Sequence, residues 1–298
     1  MRIVIAGASG FLGEALRDHL ARRGHEVVRL VRGKAASSHE STWDPDNNVV
    51  DQEVIESADV VVNLAGAAFV RWPYTEKYKK TFVDSRVQTT RVLAEAIART
   101  QSKPAFLAQN GTAYYGDRGA EVLTEDSPAR DDGTFLNGIT KEWQEATRPA
   151  EDAGARVCVM RTAAVLHKRG GAFKPLYLIF RAGLGGPAGD GRQYFSTISL
   201  NDWVRAVTFL AENESCKGAY NLTGPNPTTN AEFAEQLSQM VHRPRFFRVP
   251  AGPVRKAFPE LAPELFSSLR VEPARLLDEG FVFEQPKLND RLAAALTP

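Results

Sequence analysis

The sequence predicts an α/β protein built on a doubly wound parallel sheet, with a smaller C-terminal α/β lobe. Three observations carry this prediction. Apolar runs of strand length alternate with helical patterns through the first two thirds of the chain. A glycine-rich turn joins the first of these runs to the first helical pattern. After residue 166 the pattern becomes irregular and rich in glycine and proline, which is typical of loops and short elements.

The predicted strands are apolar without a polar face, which favours burial on both sides of a parallel sheet. They are residues 2–7, 26–32, 59–66, 105–111 and 155–166. Helical spacing of apolar residues predicts helices over 11–24 and 85–100, and again after residue 200. We therefore expect a nucleotide-binding domain of residues 1–166 plus about 200–223. The remaining residues, about 167–199 and 224–298, form the expected substrate lobe.

Composition and charge limit the classes of partner. The chain has 298 residues and a formal net charge of +1, which gives no reason to expect a nucleic acid or a membrane surface as partner. It has no long uninterrupted apolar run, and its start lacks the pattern of a secretory signal, so a cytoplasmic location is expected. Cys158 and Cys216 lack metal-ligand spacing, and no metal site is predicted. The oligomeric state is left open.

The glycines of "GASGFLG" indicate what the first strand and helix bind. Gly7 allows a tight turn, Gly10 lets a pyrophosphate approach the backbone, and Gly13 lets the helix pack closely on the strand. The free N–H groups at the start of the helix then face the phosphates. The motif predicts a Rossmann-type dinucleotide site with contacts from Gly7, Ser9, Gly10, Phe11, Leu12 and Gly13.

The end of the second strand indicates which dinucleotide binds. A carboxylate at this place would bind the ribose 2′-hydroxyl of NAD, whereas an arginine accommodates the 2′-phosphate of NADP. Here the position is occupied by Val31, followed by Arg32 and Lys34, and no acid is present. We therefore predict NADP as the cofactor, with Val31 and Arg32 beside its ribose. The alternative is that Arg32 points into solvent.

The GxxGxxG spacing resembles the short-chain dehydrogenase/reductase superfamily. "NLAG" closes the third strand as a similar segment does in that family, and the resemblance implies cofactor contacts from Leu64, Ala65 and Gly66. "SRVQTTRVL" resembles a helix of the extended group, with Arg86 in the position of an asparagine. A cofactor contact from Arg86 is inferred from that register.

The catalytic dyad of the superfamily is missing. Its Tyr-x-x-x-Lys pattern, in which a tyrosine is the general acid or base, occurs nowhere in this chain. The expected tyrosine position falls on Phe135 or Leu136. Substitutes for the acid are Thr112, Tyr114 and Tyr115, in "QNGTAYYG". The alternative is that this segment is only a packed loop beneath the cofactor.

Further motifs narrow the resemblance to an atypical group labelled "epimerase family protein". They are "RTAAVL" (161–166), "GLGGPAGDGRQ" (183–193), "YNLTGPNPTTNAEFA" (220–234) and "RVEPARLLDEGFVFEQPKL" (270–288). The resemblance covers essentially the whole chain and implies NADP binding, absence of the dyad, and a C-terminal domain of unassigned role. The group usually has Trp-Ile-His before an acidic helix start; here Thr197 and Ser199 occupy the Trp and His positions. Arg192 and the amides around it are candidates for holding an anionic substrate group, or the segment is a lid or interface loop.

Three functions follow from these observations. The first is an NADPH-dependent oxidoreductase acting on a small carbonyl or enone. The second is a non-catalytic NADP(H)-binding sensor or regulatory protein, for which the missing dyad is no handicap. The third is a nucleotide-sugar epimerase or dehydratase, which needs the missing tyrosine and lysine most directly.

Overall fold

The computed structural model describes residues 1–69, 71 and 73–297, and the chain forms two compact units. The first unit consists of Met1–Asn110, Lys141–Met160 and Val204–Ala219. The second consists of Gly111–Thr140, Arg161–Trp203 and Tyr220–Pro298.

The strands are short, as is usual for a globular α/β protein. They are β1 (Arg2–Ala6), β2 (Glu26–Val31), β3 (Glu40–Asp44), β4 (Val49–Val50), β5 (Val60–Asn63), β6 (Ala105–Gly111), β7 (Val122–Leu123), β8 (Val157–Thr162), β9 (Ala164–Leu166), β10 (Thr197–Ser199), β11 (Gly218–Leu222) and β12 (Arg270–Val271).

Helices separate most of these strands. They are α1 (Phe11–Arg22), α2 (Gln52–Glu56), α3 (Glu76–Arg99), α4 (Phe135–Glu145), α5 (Arg148–Asp152), α6 (Phe173–Arg181), α7 (Leu200–Glu212), α8 (Asn230–Met240), α9 (Ala251–Ala257), α10 (Ala262–Phe266), α11 (Ala274–Asp278) and α12 (Leu288–Leu296). Short 3-10 helices lie at Pro45–Asn47 and Thr112–Tyr115. None of the helices in the described ranges is both long and apolar enough to cross a membrane.

The main sheet has eight strands, which lie in the order β11-β8-β6-β5-β1-β2-β3-β4. The β1–β2, β1–β5, β2–β3 and β5–β6 pairs are parallel, and β4 runs antiparallel to β3. The chain builds outward from β1 on one side through β2 and on the other through β5. The strand order therefore reverses between β1 and β5, which is where ligands of doubly wound sheets bind. The predicted Rossmann-type fold class is confirmed.

Burial explains why the sheet forms from these runs. Val4, Ala6, Val61, Phe106 and their neighbours are at most a few per cent exposed and form one apolar cluster with α3 and α5. β3 and β4 were not predicted because they are short: β3 has one apolar residue among its five, and β4 consists of two valines at the edge of the sheet. The predicted strand over 155–166 is interrupted at Ala163, whose N–H donates to the carbonyl of Leu222.

The second unit is built from small sheets and helices. β7 pairs with β12, and β9 pairs with β10, each in parallel. A core of Phe173, Phe180, Phe233, Leu237 and Leu292 holds α6, α8 and α12 together. The pairing of β7 with β12 groups residues 111–140 with the C-terminal residues, whereas the sequence prediction groups them with the nucleotide-binding domain.

Candidate dinucleotide-binding site

The turn between β1 and α1 has glycine where a side chain cannot fit. Gly7 has a φ of +80°, and a Cβ added there would lie 2.6 Å from the carbonyl carbon of Leu64. A Cβ at Gly13 would lie 2.2 Å from the carbonyl oxygen of Gly7. These two glycines let the turn, the loop after β5 and the first turn of α1 pack backbone to backbone.

Gly10 has a different environment. A Cβ there would meet only the Gly7 carbonyl oxygen, at 3.4 Å, so this face of the turn is open. Gly10 is also the N-cap residue of α1. Because glycine has no side chain, Gly10 provides no side-chain acceptor for the first N–H groups of the helix. An open backbone face at the N-terminus of a twelve-residue helix is suited to an anion, because the helix dipole favours negative charge there.

A cleft of about 910 Å³ lies at the reversal point in the strand order. Eight of the predicted cofactor residues line it: Gly7, Ser9, Gly10, Val31, Arg32, Leu64, Ala65 and Gly66. The others are Phe11, Leu12 and Gly13, in the first turn of α1, and Arg86, in α3. The cleft is also lined by residues that the sequence analysis did not select, including Arg29, Trp43, Asp46, Lys80, Thr81, Asp84 and Gln88. These come from β2, β3, the 3-10 helix Pro45–Asn47 and α3, and only the fold brings them together.

The end of β2 carries the positive charge expected there. Val31 and Arg32 line the cleft, and Arg32 is exposed. Asp46 and Asp84 are carboxylates of the same lining, and Asp84 Oδ2 lies 2.5 Å from Lys80 Nζ. The cleft therefore has an exposed guanidinium, that of Arg32, at the end of β2, and residues of α3 that carry both signs of charge.

Side chains of the sheet and of α3 fix the loop that follows β5. Asn63, which is fully buried, donates to the hydroxyls of Thr89 and Thr90 and accepts from the N–H of Ala65. Ser85 Oγ accepts from the N–H of Ala67 at 2.8 Å. These contacts hold the backbone of residues 64–67 against the cleft.

Arg86 acts on the same loop. Its Nη2 donates to the carbonyl of Ala67 at 3.0 Å, and its Nη1 donates to the carbonyl of Phe82 at 3.1 Å. The guanidinium carbon lies 3.5 Å from the ring centroid of Phe82 and 5.5 Å from that of Trp143. Burial lowers the pKa of Arg86 to about 10, so the side chain stays charged at neutral pH. The structure gives Arg86 a role in holding the loop; its predicted contact with a cofactor stays a prediction.

The predicted catalytic residues lie in the 3-10 turn after β6. Tyr115 is fully buried, donates to Asn221 Oδ1 at 2.6 Å and accepts from Arg161 Nη1 at 2.9 Å. Burial, the largest effect, raises the pKa of Tyr115 to about 12. Thr112 is also buried, with 8% of its surface exposed. The arrangement makes Tyr115 a structural group and a poor proton donor.

Tyr114 is half-buried and differs from its neighbour. The guanidinium carbon of the buried Arg161 lies 3.7 Å from the centroid of its ring. The Tyr114 hydroxyl makes no hydrogen bond with the part of the chain that the structure describes. Tyr114 is therefore the tyrosine of this turn whose hydroxyl is available to a ligand. The sequence analysis did not select Arg161, because only tertiary contact reveals its place.

The turn rests on α4. Asn137, fully buried, donates from Nδ2 to the carbonyls of Ala113 and Tyr114 at 2.7 and 3.1 Å. Phe135 and Leu136, the positions at which the sequence analysis expects the missing tyrosine, are the first two residues of this helix. An amide that supports the backbone of the turn thus lies one or two positions after the expected tyrosine.

A small cavity of about 10 Å³ lies beside the same turn. It is lined by Ala113, Gly116, Thr134 and Glu264, among others. Burial raises the pKa of Glu264 to about 7, so this carboxyl group can hold a proton near neutral pH. Nothing in the local sequence around α10 indicates this property.

The glycine-rich segment 183–193 is explained in part by packing. A Cβ at Gly185 would lie 2.3 Å from the Phe180 ring, and one at Gly186 would lie 1.8 Å from the Phe247 carbonyl oxygen. The Arg192 side chain is 90% exposed, and its Nε lies 4.0 Å from Asp190. These contacts explain two of the glycines by packing; substrate binding by Arg192 and the alternative of a lid or interface loop both stay predictions.

The positions that replace the group's Trp and His lie in β10. Thr197 and Ser199 are both buried, and Ser199 Oγ contacts Gln285 Oε1 at 2.8 Å. Asp202, at the start of α7, accepts from the N–H groups of Glu284 and Gln285. This acidic helix start therefore anchors the segment before α12. No cluster of three or more His, Cys, Asp or Glu with the geometry of a metal site occurs within the described ranges.

Fold and glycine turn together define a Rossmann-type α/β protein. Residues 3–223 match the NAD dependent epimerase/dehydratase family, and residues 249–295 match a domain of unknown function, DUF1731. The chain belongs to the NAD dependent epimerase/dehydratase family. It is 38% identical over 297 residues to epimerase family protein Mb2239 of Mycobacterium bovis, covering 99% of this chain and 97% of that protein. Human epimerase family protein SDR39U1 is 36% identical over 298 residues, with 98% of each chain covered. The resemblance to the epimerase family protein group is confirmed.

Solved structures of relatives agree with this assignment. Human SDR39U1 (isoform 2), crystallised with NADPH, superposes with a TM-score of 0.87 at 34% identity over 99% of both chains. The nucleoside-diphosphate sugar epimerase of Corynebacterium glutamicum superposes with a TM-score of 0.81 at 32% identity, over 99% of this chain and 58% of that one. The fold of this chain is thus shared with relatives along its full length.

Proposed function

We propose that this protein binds NADP(H) in the cleft at the β1–β5 reversal point and is an NADPH-dependent oxidoreductase of a small carbonyl or enone substrate. The observation that carries the proposal is the cleft itself. The open face of Gly10 and the N–H groups of α1 lie at one part of its lining, and Arg32 lies at the end of β2. The similarity to a relative crystallised with NADPH supports the choice of cofactor.

The residues fit the phosphates of this cofactor. Gly10 leaves room for the pyrophosphate, and the start of α1 favours its negative charge. The exposed guanidinium of Arg32 suits a 2′-phosphate, since a planar fork of donors matches phosphate oxygens. Reduced nicotinamide supplies a hydride when bound. The protein's own contribution is to orient the cofactor and to provide a proton.

The proton donor that we propose is Tyr114. Its hydroxyl makes no hydrogen bond with the described residues, whereas the hydroxyl of Tyr115 is bonded to Asn221 and Arg161. Arg161 covers one face of the Tyr114 ring and fixes its orientation. Thr112 and an ordered water are alternative donors, and Arg192 remains a candidate for holding an anionic group of the substrate.

A second function is favoured by one observation. The chain has no Tyr-x-x-x-Lys dyad, and its Tyr115 is fully buried in the second unit, where its hydroxyl bonds to Asn221 and Arg161. A protein that only senses NADP(H) needs no proton donor, so this arrangement is compatible with a non-catalytic sensor. The similarity to a nucleoside-diphosphate sugar epimerase supports the third possibility less strongly, because that chemistry requires the missing tyrosine base.

Arg32→Ala tests the cofactor assignment. We expect wild-type protein to bind NADPH at least about tenfold more tightly than NADH, and Arg32→Ala to lose that preference, because one guanidinium–phosphate pair contributes about 1.5–3 kcal/mol. The measurement is a fluorescence titration with each dinucleotide. Arg148→Ala, which removes an exposed arginine of the same unit outside the cleft lining, is the matched control. Equal affinity for both dinucleotides in wild-type protein would contradict the assignment.

Two tyrosine variants separate catalysis from structure. We expect Tyr115→Phe to lower the free energy of unfolding by about 1–3 kcal/mol, since it removes the buried hydroxyl that bonds to Asn221 Oδ1 and Arg161 Nη1. Tyr114→Phe removes a hydroxyl with no partner in the described chain and should change stability by less than about 0.5 kcal/mol. Tyr114→Phe should instead lower kcat for NADPH oxidation by about 100-fold in a screen of aldehydes, ketones and enones.

The combined outcome separates the two functions. Unchanged turnover in Tyr114→Phe would assign the proton to another group, with Thr112→Val as the next variant. Tight NADPH binding without turnover of any carbonyl by the wild-type protein would favour the sensor.

A further inference from the structure

One face of the second unit exposes large apolar side chains that the proposed function does not use. Leu178 and Ile179, near the end of α6, are 51% and 46% exposed, and Leu184 is 59% exposed. Phe246 and Phe247 are 83% and 53% exposed. Soluble proteins rarely expose several large apolar side chains together, so such a group indicates an interaction site.

Contacts show that these residues belong to one surface. The carbonyl oxygen of Phe247 lies directly over Gly186, where an added Cβ would be only 1.8 Å away. Arg243 Nε donates to the carbonyl of Arg181, the last residue of α6, at 2.9 Å. The segment 242–248 therefore lies alongside residues 181–186. We name the surface formed by residues 178–186 and 242–248 the Arg/Phe surface.

The charge of this surface is strongly one-sided. Residues 168–189 and 236–259 contain no aspartate or glutamate. The same stretches contain six arginines and three lysines, which are Lys168, Arg169, Lys174, Arg181, Arg243, Arg245, Arg248, Arg255 and Lys256.

 The nearest acid in sequence to α6 is Asp190, which lies next to Arg192. The whole-chain net charge of +1 therefore hides a local excess of positive charge.

We propose that the Arg/Phe surface docks the protein on an anionic membrane surface. Phe246 and Phe247 would enter the boundary between lipid headgroups and acyl chains, and Arg181, Arg243 and Arg248 would bind lipid phosphates. Phe246, which is 83% exposed, can enter the fluid interfacial region of a lipid bilayer without a preformed pocket, whereas a protein partner would need a pocket that matches its ring. This docking is peripheral, and it modifies the expectation from net charge that no membrane surface is a partner.

The test is co-sedimentation with vesicles of phosphatidylcholine alone and of phosphatidylcholine mixed with phosphatidylserine. We expect the full-length protein to sediment with the anionic vesicles only, and sodium chloride to release it. Phe246→Ser combined with Phe247→Ser should lower the partition coefficient by about tenfold or more. Arg181→Glu combined with Arg248→Glu should lower it by about twentyfold or more, at about fivefold for each basic residue.

Matched controls separate this effect from misfolding and from general charge. Val282→Ser changes a 71% exposed apolar residue of the same unit, and Arg148→Glu reverses an exposed arginine elsewhere; neither should change sedimentation. Thermal unfolding of each variant checks that its fold is retained.

Four outcomes would overturn the proposal. The first is no sedimentation of the wild-type protein with anionic vesicles, and the second is unchanged sedimentation of the double phenylalanine variant. The third is a wild-type dimer in size-exclusion chromatography that the double phenylalanine variant loses, without vesicle binding, which would assign the surface to a second copy of the chain. Binding to immobilised polyglutamate but not to vesicles would assign it to an acidic protein segment.

Discussion

Replacing Gly13 with alanine is expected to abolish NADPH binding and to lower the free energy of unfolding by about 3 kcal/mol. The added Cβ would lie 2.2 Å from the Gly7 carbonyl oxygen and 2.7 Å from the Ala8 Cα, and both atoms are backbone. A side-chain tip can rotate away from such a clash, but backbone atoms cannot. The turn or the first turn of α1 must therefore shift. Urea unfolding and an NADPH titration measure the two effects.

Gly10→Ala is the matched control on the same turn. Its Cβ would lie 3.4 Å from the nearest atom of the rest of the protein, so the fold should be kept. The methyl group would nevertheless occupy the open face that we assign to the pyrophosphate, and NADPH affinity should fall by about tenfold or more. If Gly10→Ala binds NADPH like the wild-type protein, the phosphates do not lie against this turn.

The main sheet could be predicted from the sequence because its strands are buried on both faces. Such strands are continuous apolar runs, as in β1 and β5, and the local pattern is enough to identify them. The glycine turn is also a local signal, since its three glycines lie together in residues 7–13, between the first strand and the first helix. Strands β3 and β7 lacked such a signal because they are short and lie outside this buried region.

Most of the groups around the candidate catalytic turn could not be predicted. Tyr115 bonds to Asn221, which is 106 residues away, and Arg161 covers Tyr114 from 47 residues away. No spacing in the sequence connects such residues, and a single sequence read by itself contains no covariation between positions. Asn137 is nearer, but its use depends on α4 presenting its amide to the turn. The candidates Thr112, Tyr114 and Tyr115 were found from a family register, and the structure then distinguishes among them.

Arg86→Ala is expected to have the second large effect on stability, because the Arg86 side chain connects the loop of residues 64–67 to α3. The change leaves the carbonyls of Ala67 and Phe82 without their guanidinium donor and removes the charge from the face of Phe82. At about 1 kcal/mol for each lost bond and a similar amount for the cation–π contact, we expect about 3 kcal/mol less stability. NADPH affinity should fall as well, because the backbone of residues 64–67 loses a support beside the cleft.

Arg86→Lys distinguishes this role from a simple need for positive charge. Lysine keeps the charge but has no planar fork with which to reach both carbonyls while stacking on Phe82, so we expect it to recover less than half of the lost stability. Arg91→Ala, at an exposed position of the same helix, should leave both stability and NADPH affinity unchanged. Urea unfolding with and without NADPH measures both quantities for each variant. If Arg86→Ala keeps wild-type stability but loses NADPH affinity, Arg86 contacts the cofactor directly, as the family register predicts, and does not act through the loop.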